Sequence, residues 1–232
     1  MHRPSRISYA LIALLAFTLV LPAFALPRAA EAQSSRYSRD RDDDRSSRSS
    51  YSYGRVSSSI RKKIDQLDDD AVEKLPIPIL IGVAVRNLYP SFGDPRDGGA
   101  REHQGLDIMA PMGSFIASPT EAVVTRTGEG ETEGIYVYTA NPGGETFAYM
   151  HLSGIADGVK AGTVLEEGDL IGYVGDTGNA KGGPAHLHFE IRDGREPTDP
   201  FPRLTHEFGN DIRLRTLTEI LKALLEELED RN

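Results

Sequence analysis

Between residues 88 and 202, short apolar runs are separated by Gly, Pro and Asn, a rhythm of strands and turns rather than long helices. Residues 122–126, 135–139, 146–151 and 170–174 read as strands. Asn141-Pro142-Gly143-Gly144, between two of them, reads as a hairpin turn. The predicted fold class is therefore mainly β: an antiparallel sheet, sandwich-like, with amphipathic helices on its flanks.

The flanks have other patterns. Ile60, Ile64, Leu67, Ala71, Val72 and Leu75 recur at helical spacing, and Pro76 and Pro78 stop that helix. The solid apolar run 79–85 reads as a first buried strand or a tight packing segment, closing a unit of residues 60–87. At the other end, Leu214, Leu217, Ile220, Leu221, Leu224, Leu225 and Leu228 form one stripe within residues 203–232. Asn210 or Asp211 is placed to cap that helix, and its stripe is expected to pack on the β domain.

Residues 33–59 are almost entirely Ser, Arg, Asp and Tyr, with no apolar face to offset the entropy of ordering the backbone. A disordered linker is expected there, with a root-mean-square reach of about 30 Å. Before it, His2, Arg3 and Arg6 precede an apolar run over residues 7–25 that ends in Ala23-Phe24-Ala25. Basic start, apolar centre and small-residue exit mark residues 1–32 as a secretory signal peptide. Left uncleaved, the run approaches the ~20 residues that span a bilayer and would tether the chain to a membrane. Either outcome exports the rest, to the periplasm or cell envelope.

Composition narrows the chemistry. The 232 residues include no cysteine, which excludes disulfides, thiolate metal sites, a cysteine nucleophile and a lipidated N-terminal cysteine. Any metal must be held by His, Asp or Glu. The formal charge of −9 argues against nucleic acid as a partner.

Four of the six histidines fall in three short motifs of the β domain. In His103-Gln104-Gly105-Leu106-Asp107, a continuous strand would put His103, Gly105 and Asp107 on one face: a nitrogen donor, an oxygen donor and space between them. In His186-Leu187-His188-Phe189-Glu190, two imidazoles share a face and both need polar partners if buried. Tyr149-Met150-His151-Leu152 ends a strand on which Phe147, Tyr149 and His151 would share a face. Together, in a cysteine-free chain, the motifs point to a His/Asp zinc site.

This order of motifs, with Ser91-Phe92-Gly93 before the first and Gly175-Asp176-Thr177-Gly178-Asn179-Ala180 before the last, resembles the lysostaphin-like, LytM-type zinc metallopeptidase family. The resemblance covers residues 88–202. It implies an antiparallel β core with a groove and hydrolysis of peptide bonds in peptidoglycan cross-links or stems, with peptidoglycan peptides as partners. It implies one Zn2+ per chain, held by His103, Asp107 and His188, with His151 and His186 as the catalytic pair. Three protein ligands leave a position open, as catalytic zinc sites do. No H-E-x-x-H motif is present, so proton transfer falls to histidine, and which imidazole is the base stays open.

Tyr149, Gly178 and Asn179 are expected to contact substrate. Glu190 is expected either to orient an imidazole or to form a plain ion pair. The glycine-rich segment 175–184 reads as a flexible groove wall or a long turn, and the acidic segment 128–134 as a solvated hairpin tip. A non-catalytic wall-binding protein of the same fold is the alternative, opposed by the intact motifs. The run 159–175 also resembles a lipoyl-carrier hairpin, but it has no lysine at a symmetric tip.

Overall fold

The computed structural model describes residues 56–230, so the predicted signal segment or anchor and most of the predicted linker lie outside the described residues. Fourteen short strands and two α-helices are described: α1 (Ser58–Ile64) and α2 (Asn210–Glu229). The main sheet is antiparallel and runs β10 (Val164–Leu165), β6 (Ala122–Gly130), β7 (Gly134–Ala140), β8 (Glu145–Leu152), β12 (His186–Asp193), β13 (Glu196–Thr198). β4 (Leu106–Met109) shares the far edge of β12 with β13, pairing its first half. A second sheet joins β5 (Phe115–Ala117), β11 (Leu170–Tyr173) and β9 (Gly154–Ile155). Three two-residue pieces and one of three residues complete the set: β2 (Pro95–Arg96) with β3 (Arg101–Glu102), and β1 (Leu75–Pro76) with β14 (Leu204–His206).

Strand alternation gives the main sheet two unlike faces. Val124, Val137, Phe147, Tyr149, Leu187, Phe189, Ile191, Leu106 and Ile108 turn inward and build the core with Ile116, Leu152 and Ile171. Phe147 and Tyr149 both pack on the ring of Phe189, with centroids 5.5 and 5.4 Å away. The opposite face carries Asp107, His186, His188, Glu190 and Arg192, and it forms the floor of a cleft.

The flanks depart from the sequence pattern in two places, and at 79–85 the tight-packing alternative holds. α1 ends at Ile64 rather than near 75, and beyond it Asp68 Oδ1 accepts the amide of Asp70 in a turn. Residues 79–85 make no strand; Ile79 forms a single bridge to Ile116, and Ile79 and Leu80 are buried in packing. α2 follows Gly209, which offers no side-chain cap. It docks through Ile212, Thr216, Leu217 and Ile220, while Leu214, Leu221 and Leu225 are exposed. The stripe of seven is thus only partly the docking face. Among the described residues, no helix is long and apolar enough to cross a membrane.

Candidate active site

β4 and β12 set two donors side by side, since Asp107 stands directly opposite His188 in their register. His103 arrives differently from the expected single strand. β3 ends at Glu102, the chain bends through residues 103–105, and β4 begins at Leu106. The bend requires glycine: a Cβ on Gly105 would lie 2.5 Å from the Phe189 carbonyl and 2.9 Å from His188 Nε2. The bend brings His103 Nε2 to 3.0 Å from Asp107 Oδ1 and 2.9 Å from His188 Nδ1. His188 Nδ1 is 3.0 Å from the same Asp107 oxygen.

The remaining atoms of this cluster are all engaged. His103 Nδ1–H donates to Ser91 O at 2.6 Å, and His188 Nε2–H donates to Glu190 Oε1 at 3.0 Å. Arg96 Nη2 holds Asp107 Oδ2 at 2.6 Å. These partners fix the tautomers, leaving His103 Nε2, His188 Nδ1 and Asp107 Oδ1 as three lone pairs aimed at one point. Three facing acceptors are unfavourable unless a cation lies among them. Tetrahedral zinc with bonds near 2.0–2.1 Å separates its ligand atoms by about 3.3 Å, a small expansion from what is seen. The donor set therefore fits zinc, and among the described residues it is the one group of three such side chains that does.

Without an ion, shared protons hold the same atoms together. Burial opposes ionisation of Asp107, but hydrogen bonds and positive fields from His103 and His188 outweigh it and hold the carboxyl well below the usual range. For His188, burial disfavours charge, but Asp107 and Glu190 outweigh it and raise its pKa. Glu190 is 3% exposed and also accepts Arg192 Nε at 2.6 Å, so it serves the imidazole and an arginine together. Burial would raise its pKa, yet these two partners lower it.

Two further imidazoles face the cluster. His186 Nδ1–H donates to Pro184 O at 2.9 Å, and its Nε2 lies 3.8 Å from Asp107 Oδ1. His151 Nδ1–H donates to Thr177 O at 2.9 Å, and its ring centroid lies 5.1 Å from that of His186 and 5.8 Å from that of His188. Burial, reinforced by His186 and His188, lowers its pKa to about 4 and keeps it neutral at pH 7. His151 has φ +63°, a left-handed conformation unusual for a non-glycine residue and frequent at functional sites.

That conformation corrects one expectation. Tyr149 does not line the cleft: it is wholly buried on the core face, because the positive φ at His151 breaks the strand alternation between them. Tyr138 lines the cleft instead. Asn179 lies in the cleft wall, whereas Gly178 is spent on packing: a Cβ there would meet Gly134 N at 2.3 Å. Residues 175–184 are thus tied down rather than a free loop. Thr177 Oγ1 donates to Leu152 O at 2.7 Å and accepts Ile135 N–H at 2.9 Å, and Asn179 N–H donates to Thr132 O. The acidic tip at 128–134 is equally not a bystander, since Thr132 and Glu133 border the cleft.

The cleft has a volume of about 420 Å³, and its lining brings together all five motif residues. Arg96, Tyr138, Glu133 and Arg192 are members that motif reading missed. Arg192 had a signal, as the next same-face position after His186, His188 and Glu190; the other three come from segments without one.

Residues 101–200 match the model of Peptidase family M23. Those residues are a peptidase family M23 domain. M23 peptidases are zinc-dependent, in keeping with the donor set found here. The chain is 32% identical over 139 residues to the L-Ala--D-Glu endopeptidase of Bacillus subtilis, covering 56% of this chain and 42% of that protein. It is 33% identical over 105 residues to the peptidoglycan DD-endopeptidase ShyC of Vibrio cholerae, covering 45% and 23%. The solved structure of LytU is 30% identical and aligns over 52% of this chain and 83% of LytU, with a TM-score of 0.45. The chain spans less than half the length of these two curated relatives.

Proposed function

We propose that the protein is a zinc-dependent endopeptidase that hydrolyses peptide bonds in the cross-links or stem peptides of bacterial peptidoglycan. The observation that carries this reading is the pairing of two unlike sets of imidazoles. His103 and His188 aim lone pairs at a shared point with Asp107, while His151 and His186 stand beside that point without joining it. A structural metal site has no use for the second pair. The same excess opposes a non-catalytic wall-binding role. Curated relatives named as peptidoglycan and L-Ala--D-Glu endopeptidases support the substrate class.

In this reading His103, Asp107 and His188 hold the ion. When bound, zinc supplies Lewis acidity at the open position of its three-ligand set. The peptide lies along the cleft with its scissile carbonyl between the ion's position and the imidazole pair. As a water oxygen bonds to the carbonyl carbon, one imidazole takes the water proton at Nε2. The other, when it carries a second proton at Nε2, donates that hydrogen bond to the carbonyl oxygen as that atom gains charge. The proton then passes to the departing amine nitrogen as the C–N bond breaks. The carbonyls of Thr177 and Pro184 fix both rings by their Nδ1–H groups, so each presents Nε2 inward. Glu190 holds His188 by its Nε2–H, so that ring presents Nδ1 inward, and Arg96 keeps Asp107 from rotating.

The N-terminal apolar run supports export to the cell envelope, by signal cleavage or as a tether, which is where the substrate lies. Incubation of the zinc-loaded protein with purified sacculi tests the reading. Soluble fragments with newly exposed amines are expected, lost on chelation and restored by zinc. Intact sacculi after treatment with stoichiometrically loaded protein would overturn it.

A further inference from the structure

The open face of the main sheet continues beyond the metal cluster. Glu190 on β12 stands opposite Ala148 on β8, Ala148 opposite Tyr138 on β7, and Tyr138 opposite Arg126 on β6. With strands about 4.8 Å apart, Arg126 is about 14 Å from the strand bearing His186 and His188. His188 lies two residues further along β12, so the diagonal from it to Arg126 is about 16 Å, or about five extended residues of a bound peptide at about 3.4 Å each.

Arg126 is exposed yet held. Its guanidinium carbon lies 4.3 Å from the ring centroid of Tyr138 and 5.2 Å from that of Tyr136. The two rings meet edge-on, 5.4 Å apart at 84°. Gly128 allows this, because the Tyr136 ring lies against it; a Cβ there would come within 2.6 Å of the phenol oxygen. The cleft arginines are each matched to a carboxylate: Arg96 to Asp107, Arg101 to Asp97 and Arg192 to Glu190. Among the described residues, no carboxylate lies within salt-bridge distance of Arg126. A planar cation stacked on aromatic faces, its forked donors unmatched, suits bidentate capture of a carboxylate. It does so on a chain whose formal charge of −9 would otherwise repel an acidic peptide.

We propose that Arg126, seated on Tyr136 and on the cleft residue Tyr138, is a carboxylate-binding subsite just outside the cleft and selects substrate peptides that carry a free carboxylate there. The inference rests on the peptidase reading of the metal site and adds the chemical class of group the cleft selects. The alternative is that Arg126 only shields the two rings.

Binding separates the two. The zinc-loaded full chain is titrated with two stem-type peptides, one bearing a carboxylate about five residues from the scissile bond and the other the carboxamide. N-methylation of the scissile amide blocks turnover in both. The acid is expected to bind about tenfold more tightly than the amide, as one charge-assisted pair allows. Arg126→Met should bind both with the weaker affinity, and Arg126→Lys, which keeps the charge without the fork, should recover only part of the preference. Equal binding of acid and amide by the unmodified protein overturns the proposal, as does an undiminished acid preference in Arg126→Met. Should Arg126→Met fail to fold, the unmodified protein and Arg126→Lys decide. Cleavage of the unmethylated peptides is followed in parallel. An acid preference without cleavage supports the subsite and counts against the peptidase reading; cleavage without the preference does the reverse.

Discussion

Glu190→Gln tests how the zinc ligands are held. Glu190 is 3% exposed, and its two oxygens serve His188 Nε2–H at 3.0 Å and Arg192 Nε–H at 2.6 Å. Glutamine has the same shape but only one acceptor oxygen. If that oxygen keeps His188, the new NH2 faces the Arg192 donor. If it keeps Arg192, the NH2 faces His188 Nε2, and the imidazole must move its proton to Nδ1, the ligand atom. Either outcome weakens the ligand. His103 has no such vulnerability, because its partner is the Ser91 backbone carbonyl, which no substitution removes. A hydrogen bond to a charged group contributes about 1.5–3 kcal/mol, and loss of a ligand's outer partner weakens metal binding by about 10–100-fold. We therefore expect the zinc Kd to rise about 10–100-fold, equivalent to about 1.4–2.7 kcal/mol. Competition against a chromogenic chelator measures it, with a cooperative melting transition as the folding control. A folded Glu190→Gln protein whose zinc Kd stays within about twofold of the unmodified value would refute the coupling between Glu190 and the metal.

His188→Ala should lose both stoichiometric metal and peptidase activity. His186→Ala should keep the metal and lose about 10²–10⁴-fold in turnover, by metal analysis and cleavage assays on each; normal digestion by both would refute the role assignment. In metal-free protein, the pKa of His151 lies below its unfolded value near 6.5, at about 4, so the unfolded chain binds the proton first. Its contribution to stability is whole above pH 6.5 and lost as pH falls through that window to about 4. An NMR titration of the His151 ring with a midpoint near 6.5 would contradict this. Thr177→Val removes the hydroxyl bonds to Leu152 O and Ile135 N, at a cost of about 1–3 kcal/mol, and loosens the carbonyl that orients His151. Urea midpoints and kcat/KM should both fall, and an unchanged kcat/KM would show that this carbonyl's position does not matter.

The parts of the site legible in the sequence are those within one unbroken strand. Along β12 the period of two carries His186, His188 and Glu190 onto one face, and the same rule extended by one step reaches Arg192, the partner of Glu190. The pairing of His103 with Asp107 is legible for a different reason from the one that operates. The two are not on a continuous strand; the chain leaves β3, bends at Gly105 against β12, and re-enters as β4. Tyr138, Arg96 and Glu133 come from separate segments and carry no motif. Their presence in the cleft is a consequence of sheet order, which composition does not reveal. On α2 the leucine stripe locates the helix but overstates its docking face, because its far half extends past the small patch of Leu80, Phe115, Ala117 and Phe208 that it covers.

His151 shows why the rest could not be read locally. Strand alternation places it on the same face as Tyr149, yet one residue turns to the cleft and the other to the core. The inversion needs a left-handed backbone, which for a non-glycine residue costs about 1–3 kcal/mol. That strain is offset by bonds from two other segments: His151 N–H to Glu133 O, and His151 Nδ1–H to Thr177 O. Those segments meet only because Gly134 and Gly178, both at positive φ, pack backbone to backbone where no side chain fits. The His151 imidazole is thus aimed by two glycines in other loops. The acidic tip and the glycine-rich segment, each unremarkable alone, form together the clamp that makes the strained residue stable.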